Sequence, residues 1–329
     1  MMKMFDRHEA IERMDSLGRE RTPFLFIIDY EGARACVEPL ASVDEAECLF
    51  DFGGVGNSAG IRIRRTPAPQ WSFTPVSLAD YRRGFDAVVA RIMAGDSFLV
   101  NYTCRVPLYA DITLREMFLC ADSRYRLWLD GRFVCFSPEP FVRISGGTIR
   151  SFPMKGTASM EVPGAERRLL DDPKEAAEHA TIVDLIRNDL SMVAERVRVE
   201  RYRYCEHIRT NRGLICQTSS EVCGDLPAGY GARLGSLLFT LLPAGSITGA
   251  PKRKTMEIIR EAESYDRGFY TGVMGWSDGE TLDSAVMIRF VEQGPGGALW
   301  FKAGGGITAK SDLMAEYGEM KQKVYVPLY

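Results

Sequence analysis

The 329-residue chain has only three histidines (His8, His179 and His207) and no CxxC pair among its eight cysteines. Linear spacing therefore argues against a zinc site, and a metal, if one is used, is expected to be a hard ion held by carboxylates. Cys36, Cys48, Cys104, Cys120, Cys135, Cys205, Cys216 and Cys223 are scattered, and no secretory leader is recognisable, so they are expected to be reduced, buried and small. A cytoplasmic location is expected with them. The longest apolar run, near Phe24 to Ile28, is far too short to span a bilayer. No basic stripe or tail is present, since a formal charge of −3 is spread over interleaved acids and bases. That excludes the usual electrostatic footprint for nucleic acid or a membrane surface. There is neither a short repeat nor a low-complexity segment. With 46% apolar residues, the chain is long enough to bury a large core.

What is present reads as strands in hairpins alternating with single long helices. FLFIIDY at 24–30 is a buried strand, and the Gly- and Pro-rich stretch 53–75 is a loop and a candidate subdomain joint. Residues 77–93 form an amphipathic helix with Leu78, Tyr81, Phe85, Val88, Val89 and Ile92 on one face. Residues 125–152 read as a strand meander with turns at Asp130-Gly131 and Gly146-Gly147. Asp172-Pro173-Lys174-Glu175 reads as an N-cap, a first-turn proline and a capping-box glutamate opening a helix toward Val193. Further helices are expected from Pro251 to about Glu263 and from Ser311 to Lys323, with a second meander between them. This pattern predicts an α+β architecture of antiparallel sheets covered by helices, not a Rossmann sheet.

Several constellations carry chemistry. Lys155 stands between a proline-ended strand and Gly156-Thr157, a fixed position for an amine nucleophile. GSITGAPK at 245–252 leads a flexible loop into a helix start, where free N–H groups suit an anion or an ordinary cap equally well. Glu316 and Glu319 share a helical face with Lys323 one turn on, which alone reads more readily as a solvated surface pair. Glu178 is equally unremarkable alone. Gly304, Gly305 and Gly306 precede that helix and leave room for a ligand beside the glutamates, or simply make a tight bend. Glu139, after Ser137-Pro138, suits a general acid if burial raises its pKa. Arg289, inside the apolar run AVMIRF, is either a structural ion partner or a carboxylate ligand.

Taken in order, GDSFLVNYTCR (95–105), SPEPFV (137–142), PMKGT (153–157), KEAAEHATIVDLIRNDL (174–190), GSITGAPKRKTMEII (245–259), RGFYTGVMGW (267–276), AVMIRF (285–290) and AGGGITAKSDLMAEYGEMKQK (303–323) resemble the chorismate-utilising enzymes. That family includes the anthranilate, aminodeoxychorismate, isochorismate and salicylate synthases. The resemblance covers roughly residues 76–329 of a single chorismate-binding domain, with a shortened N-terminal region of about 1–75. It implies two large antiparallel sheets packed together and flanked by helices, with the site between them. It further implies Mg²⁺ on Glu178, Glu316 and Glu319, gripping the ring carboxylate of chorismate. Tyr270, Arg289, Lys323 and the backbone near Gly304 and Thr248–Gly249 would bind the substrate's carboxylates, and Glu139 would protonate the departing C4 hydroxyl.

Position 155 discriminates within the family. Anthranilate synthases resemble this segment but carry alanine there, whereas aminodeoxychorismate synthases carry lysine, which attacks C2 of chorismate. A metal and Arg289 nearby are expected to keep part of Lys155 neutral. Isochorismate and salicylate synthases use a lysine where this chain has Val100. The resemblance therefore implies conversion of chorismate and ammonia to 4-amino-4-deoxychorismate, with ammonia supplied by a separate glutamine amidotransferase subunit. No glutaminase module or fused lyase is expected in this length, nor feedback by tryptophan, whose binding motif is not recognisable. Gln217 replaces a histidine common in relatives, and Lys310 replaces a usual acidic residue.

Overall fold

The computed structural model describes residues 2–58, 61, 63–66, 68–210 and 213–328. The chain opens with β1 (Phe5–Asp6), α1 (Arg7–Arg19), β2 (Phe24–Ile28), β3 (Arg34–Pro39), β4 (Cys48–Phe52), β5 (Val55–Gly56) and β6 (Trp71–Phe73). It continues through α2 (Leu78–Met93), β7 (Leu99–Ala110), α3 (Leu114–Cys120), β8 (Tyr125–Leu129), β9 (Phe133–Ser137), β10 (Pro140–Ser145) and β11 (Thr148–Ser151). Next come β12 (Met154–Ser159), α4 (Ala165–Asp171), α5 (Pro173–Ser191), β13 (Glu195–Thr210), β14 (Gly213–Asp225), α6 (Leu234–Leu241), β15 (Gly249–Ala250) and α7 (Lys252–Ala262). The last elements are β16 (Val273–Ser277), β17 (Leu282–Val286), β18 (Phe290–Gln293), β19 (Leu299–Ile307) and α8 (Leu313–Gln322).

The strands form two large antiparallel sheets, as expected. The first runs β1-β3-β2-β16-β17-β10-β11-β14-β12 with β13 on β14, and the second runs β15-β7-β19-β18-β9-β8-β4-β5 with β6 on β7. Alternation along β2 shows how they pack. Leu25 and Ile27 join Phe50, Leu127, Phe133, Met274 and Phe290, from strands of both sheets, in one apolar layer. Phe24, Phe26 and Ile28 point the other way, into the layer shared with α1 and α6. A strand covered on both faces has no polar side, so FLFII reads as an unbroken apolar run. Helices α1, α4, α5 and α6 serve the first sheet, while α2, α3, α7 and α8 pack on the second.

The N-terminal strands are built into these sheets: β2 pairs with β16, and β4 pairs with β8. The 53–75 stretch, expected as a loop, carries β5 and β6 of the second sheet, and its positions 59, 60, 62 and 67 lie outside the described residues. No helix among the described residues is long and apolar enough to cross a membrane.

Each expected meander is in fact split between the sheets. β8 and β9 belong to the second sheet and β10 and β11 to the first, so the chain crosses at Pro138-Glu139. It crosses back between β17 and β18, at 287–289. Arg289 is thus not inside a strand. It lies on a crossover with φ of 53°, a left-handed conformation uncommon for a residue with a side chain.

Candidate active site

The two crossovers lie side by side. The Val286 amide donates to the Glu139 carbonyl at 3.1 Å, and the Phe136 amide donates to the Arg289 carbonyl at 3.2 Å. Where a strand leaves its sheet, its side chains stop facing ladder neighbours and are free to meet at the seam. Here they bring an acid beside a guanidinium. The Glu139 carboxylate accepts from the Ser246 hydroxyl at 2.8 Å. Burial pushes its pKa up, against the opposing pull of that hydrogen bond and of Arg289 and Lys323. The Arg289 guanidinium lies over the Tyr325 ring at 4.9 Å, and its buried Nε has no hydrogen-bond partner among the described residues. Tyr270 is buried against Phe290 with ring centroids 5.8 Å apart, and it feels the charge of Arg289.

Ser246 and Thr248 are delivered by the turn before α7. Gly249 pairs with Val100 on β7, at φ of 122°, where an added Cβ would lie 1.8 Å from the Leu99 carbonyl oxygen. Its glycine identity is thus set by close backbone approach. Arg267 donates to the Ile247 carbonyl at 2.9 Å and to the Asn101 carbonyl at 2.6 Å, while its ion pair with Glu263 is nearly fully buried at 2.6 Å. Glu263 also accepts from the Thr103 amide and hydroxyl, both at 2.8 Å. A buried ion pair this fully hydrogen-bonded fixes the loop geometry. The hydroxyls of Thr248 and Tyr30 face each other, buried, and neither has a partner in direct hydrogen-bonding geometry.

A second cluster lies where β12, at the edge of the first sheet, meets α5, α8 and β19. Lys155 on β12 forms an ion pair with Glu178 on α5 at 3.0 Å. Lys174, one turn before, is 3.8 Å from the same carboxylate. On α8, Glu319 pairs with Lys323 at 2.6 Å and Glu316 accepts from the Ser311 hydroxyl at 2.8 Å. Lys323 also donates to the Gly304 carbonyl at 3.0 Å. A Cβ on Gly305 would stand 3.5 Å from both Glu316 and Lys323 and 3.7 Å from Glu319, so that glycine keeps the centre open. Gly304 has a different reason: a Cβ there would be 2.2 Å from the Tyr102 carbonyl oxygen on β7.

A scan against protein families matches residues 11–329 to the chorismate binding enzyme model. The chain belongs to the chorismate-binding enzyme family. It is 48% identical over 322 residues to an uncharacterised PabA-like protein of Pasteurella multocida, covering 98% of this chain and 99% of that one. It is 32% identical to aminodeoxychorismate synthase component 1 of Bacillus subtilis, over 76% of this chain and 55% of the relative. It is 38% identical to anthranilate synthase component 1 of Streptomyces coelicolor, over 70% and 47% respectively. Its fold resembles that of a putative 2,3-dihydroxybenzoate-specific isochorismate synthase of Bacillus anthracis, with a TM-score of 0.72, 21% identity and coverage of 98% and 89%.

Within this family fold, the expectation for Lys155 needs correcting. Its pKa is raised: desolvation opposes the charge, but Glu178, Glu319 and Glu175 outweigh it. Arg289 is not among its charged neighbours and faces Glu139 instead. Glu175 was read as a capping-box residue. The Asp172 carboxylate does cap α5, accepting from the Lys174 and Glu175 amides at 2.8 and 3.1 Å. The Glu175 side chain, however, turns toward Gly156, where an added Cβ would be 2.7 Å from its Oε2. Burial and Glu178 raise its pKa. Sequence reasoning passed over both Glu175 and Ser246 as site residues, although Ser246 lies within GSITGAPK.

Glu178, Glu316 and Glu319 offer oxygen donors only, the chemistry a hard divalent ion requires. Burial raises the Glu316 pKa against the pull of Ser311 and Lys155, whereas the burial of Glu319 is outweighed by Lys323 and Lys155, which hold its pKa down, so both glutamates feel the same lysine. In chemistry the donor set fits a magnesium ion, although these three carboxylates are not gathered within 4.8 Å of one another. Val100 is fully buried in the core and paired with Ile307 and Gly249. Gln217 sits on β14 opposite Thr157, and Lys310 is exposed in the turn before α8.

Proposed function

We propose that the chain is component I of an aminodeoxychorismate synthase, converting chorismate and ammonia to 4-amino-4-deoxychorismate on the route to p-aminobenzoate and folate. The observation that carries this reading is Lys155, a partly exposed amine on β12 amid the glutamate cluster, at the position that separates the family's two aminating products. Overall identity does not separate them, since relatives of both product classes are comparably similar.

In this reading the neutral fraction of Lys155, kept small by its glutamate neighbours and formed by loss of a proton to solvent, attacks C2, the ring double bonds shift, and the C4–O bond breaks as Glu139 gives its proton to the departing hydroxyl. Water leaves. Ammonia then forms the C4–N bond, the double bonds shift back, and the C2–N bond returns its electron pair to Lys155. Glu139, left as a carboxylate, takes the excess proton from the new C4 ammonium, and both residues are restored. The raised pKa of Glu139 supports its role as the acid. The unpartnered Nε of Arg289 supports a carboxylate ligand there. Thr248, Tyr270, Lys323 and the backbone at Gly249 and Gly304 complete the carboxylate contacts. Glu178, Glu316 and Glu319 would hold a magnesium ion, which would supply positive charge for the ring carboxylate. Ammonia comes from a glutamine amidotransferase partner.

The test is product identity after incubation with chorismate, an ammonium salt and Mg²⁺. Chromatography is expected to show 4-amino-4-deoxychorismate. Anthranilate or isochorismate as the main product overturns the reading.

A further inference from the structure

Away from the chorismate site, the β13–β14 hairpin assembles a group that linear spacing conceals. Cys205 and His207 are two residues apart on β13 and so share one face. Hairpin register places Cys216 of β14 directly opposite His207, with Cys205 on the diagonal. Glu166 reaches the same face from α4, its carboxylate 2.9 Å from His207 Nε2. Ligand atoms of Glu166, His207 and Cys216 all lie within 4.8 Å of one another, the one such group of three among the described residues. Cys205 neighbours Cys216 and Glu166, its thiol pushed up by burial and by both of them. Cys216 is fully buried, while His207 and Glu166 open to solvent and give an ion access.

We propose that Cys205, Cys216, His207 and Glu166 form a tetrahedral site for a zinc-class divalent ion, distinct from the magnesium carboxylates. Two sulfurs, one imidazole nitrogen and one carboxylate oxygen are a borderline-soft donor set that suits Zn²⁺ and not Mg²⁺. Tetrahedral coordination needs ligand atoms about 3 to 4 Å apart, so Glu166, His207 and Cys216 need only small side-chain movements, while Cys205, outside that group of three, must turn toward it. Binding releases the two thiol protons and leaves His207 neutral. With four protein ligands the site is closed, and its role is structural. It ties α4 to the hairpin, and Cys216 pairs with Ala158 on β12, three residues beyond Lys155.

The test titrates the reduced, full-length protein with Co²⁺ and Zn²⁺ against a chromophoric chelator. The expected result is one equivalent bound, a thiolate-to-cobalt charge-transfer band with tetrahedral d–d intensity, and a thermal midpoint raised by Zn²⁺ but not by Mg²⁺. Cys216→Ser should weaken binding about a hundredfold or more. Because Cys216 is buried, the exposed His207→Ala variant serves as the second arm and should weaken binding about tenfold or more without unfolding the chain. Cobalt absorption without charge transfer, affinity unchanged in the His207→Ala variant, or a Cys205–Cys216 disulfide in protein prepared without added oxidant would each overturn the site.

Discussion

The two walls of the proposed chorismate site differ in how their charges are satisfied. On the crossover wall the charges are few: Glu139 and Arg289 are half-buried, Glu139 accepts from Ser246, and the buried Arg289 Nε and Thr248 hydroxyl have no hydrogen-bond partner among the described residues. On the lysine wall, Lys155, Lys174, Lys323, Glu178 and Glu319 are denser, more open and already paired with one another. Unsatisfied buried donors cost free energy that an incoming ligand recovers, so in the proposed function the first wall would serve carboxylate binding and proton donation. Self-paired charges must exchange partners when a cation or substrate arrives. In the proposed function the second wall would be where ion, nucleophile and substrate compete.

Changes on the lysine wall should strike chemistry hardest. Lys155→Ala should reduce aminodeoxychorismate formation on the order of a thousandfold, the scale for deleting a covalent catalyst. Chorismate affinity in equilibrium binding should stay within a few-fold. On the opposite wall, Glu139→Gln should lower turnover about a hundredfold with affinity little changed. Its pH dependence has a definite sign. Because burial raises the Glu139 pKa, the protonated form is the favoured one in the fold, and its contribution to stability is present below the usual carboxyl range and lost as pH rises through the raised value. The rate should fall over the same upward window in wild type, and this limb should vanish from the pH profile of Glu139→Gln.

Binding effects come next in size. Arg289→Ala should weaken chorismate binding by about 2 kcal/mol, measured by titration calorimetry, with the Mg²⁺ requirement unaltered. Glu319→Gln should do the reverse, raising the Mg²⁺ concentration for half-maximal rate about tenfold or more. If each variant shifts both quantities equally, the division between walls is wrong. The smallest contrast is between adjacent glycines. Gly304→Ala, with its Cβ forced against Tyr102, should lose about 1–3 kcal/mol of stability in denaturant melts, whereas Gly305→Ala should fold normally and lose only ligand affinity.

Much of this was legible in the sequence because local signals agreed with the fold. Ser77 caps α2, accepting from the Asp80 amide, and Tyr81, Phe85, Val88 and Ile92 are buried along the predicted stripe. Asp172 caps α5 with Pro173 in its first turn. The sheet-to-sheet crossings were not legible. AVMIRF is apolar except for Arg289 and runs without a turn residue from the buried end of β17 into the buried start of β18, so nothing marks where one sheet hands over to the other. Lys155 was assigned the wrong neighbour for the same reason, since sequence places Arg289 in the site but not on a particular wall. The Cys205–His207–Cys216 grouping depends on hairpin register, and linear ligand spacing does not encode it.

The most direct test of the central claim is intact-protein mass spectrometry of wild type with chorismate and Mg²⁺ but no ammonia. The account predicts a covalent adduct of chorismate less one water, mapped to Lys155, absent from Lys155→Ala and discharged when an ammonium salt is added. Unmodified wild-type protein, together with full aminodeoxychorismate synthesis by Lys155→Ala, would contradict it.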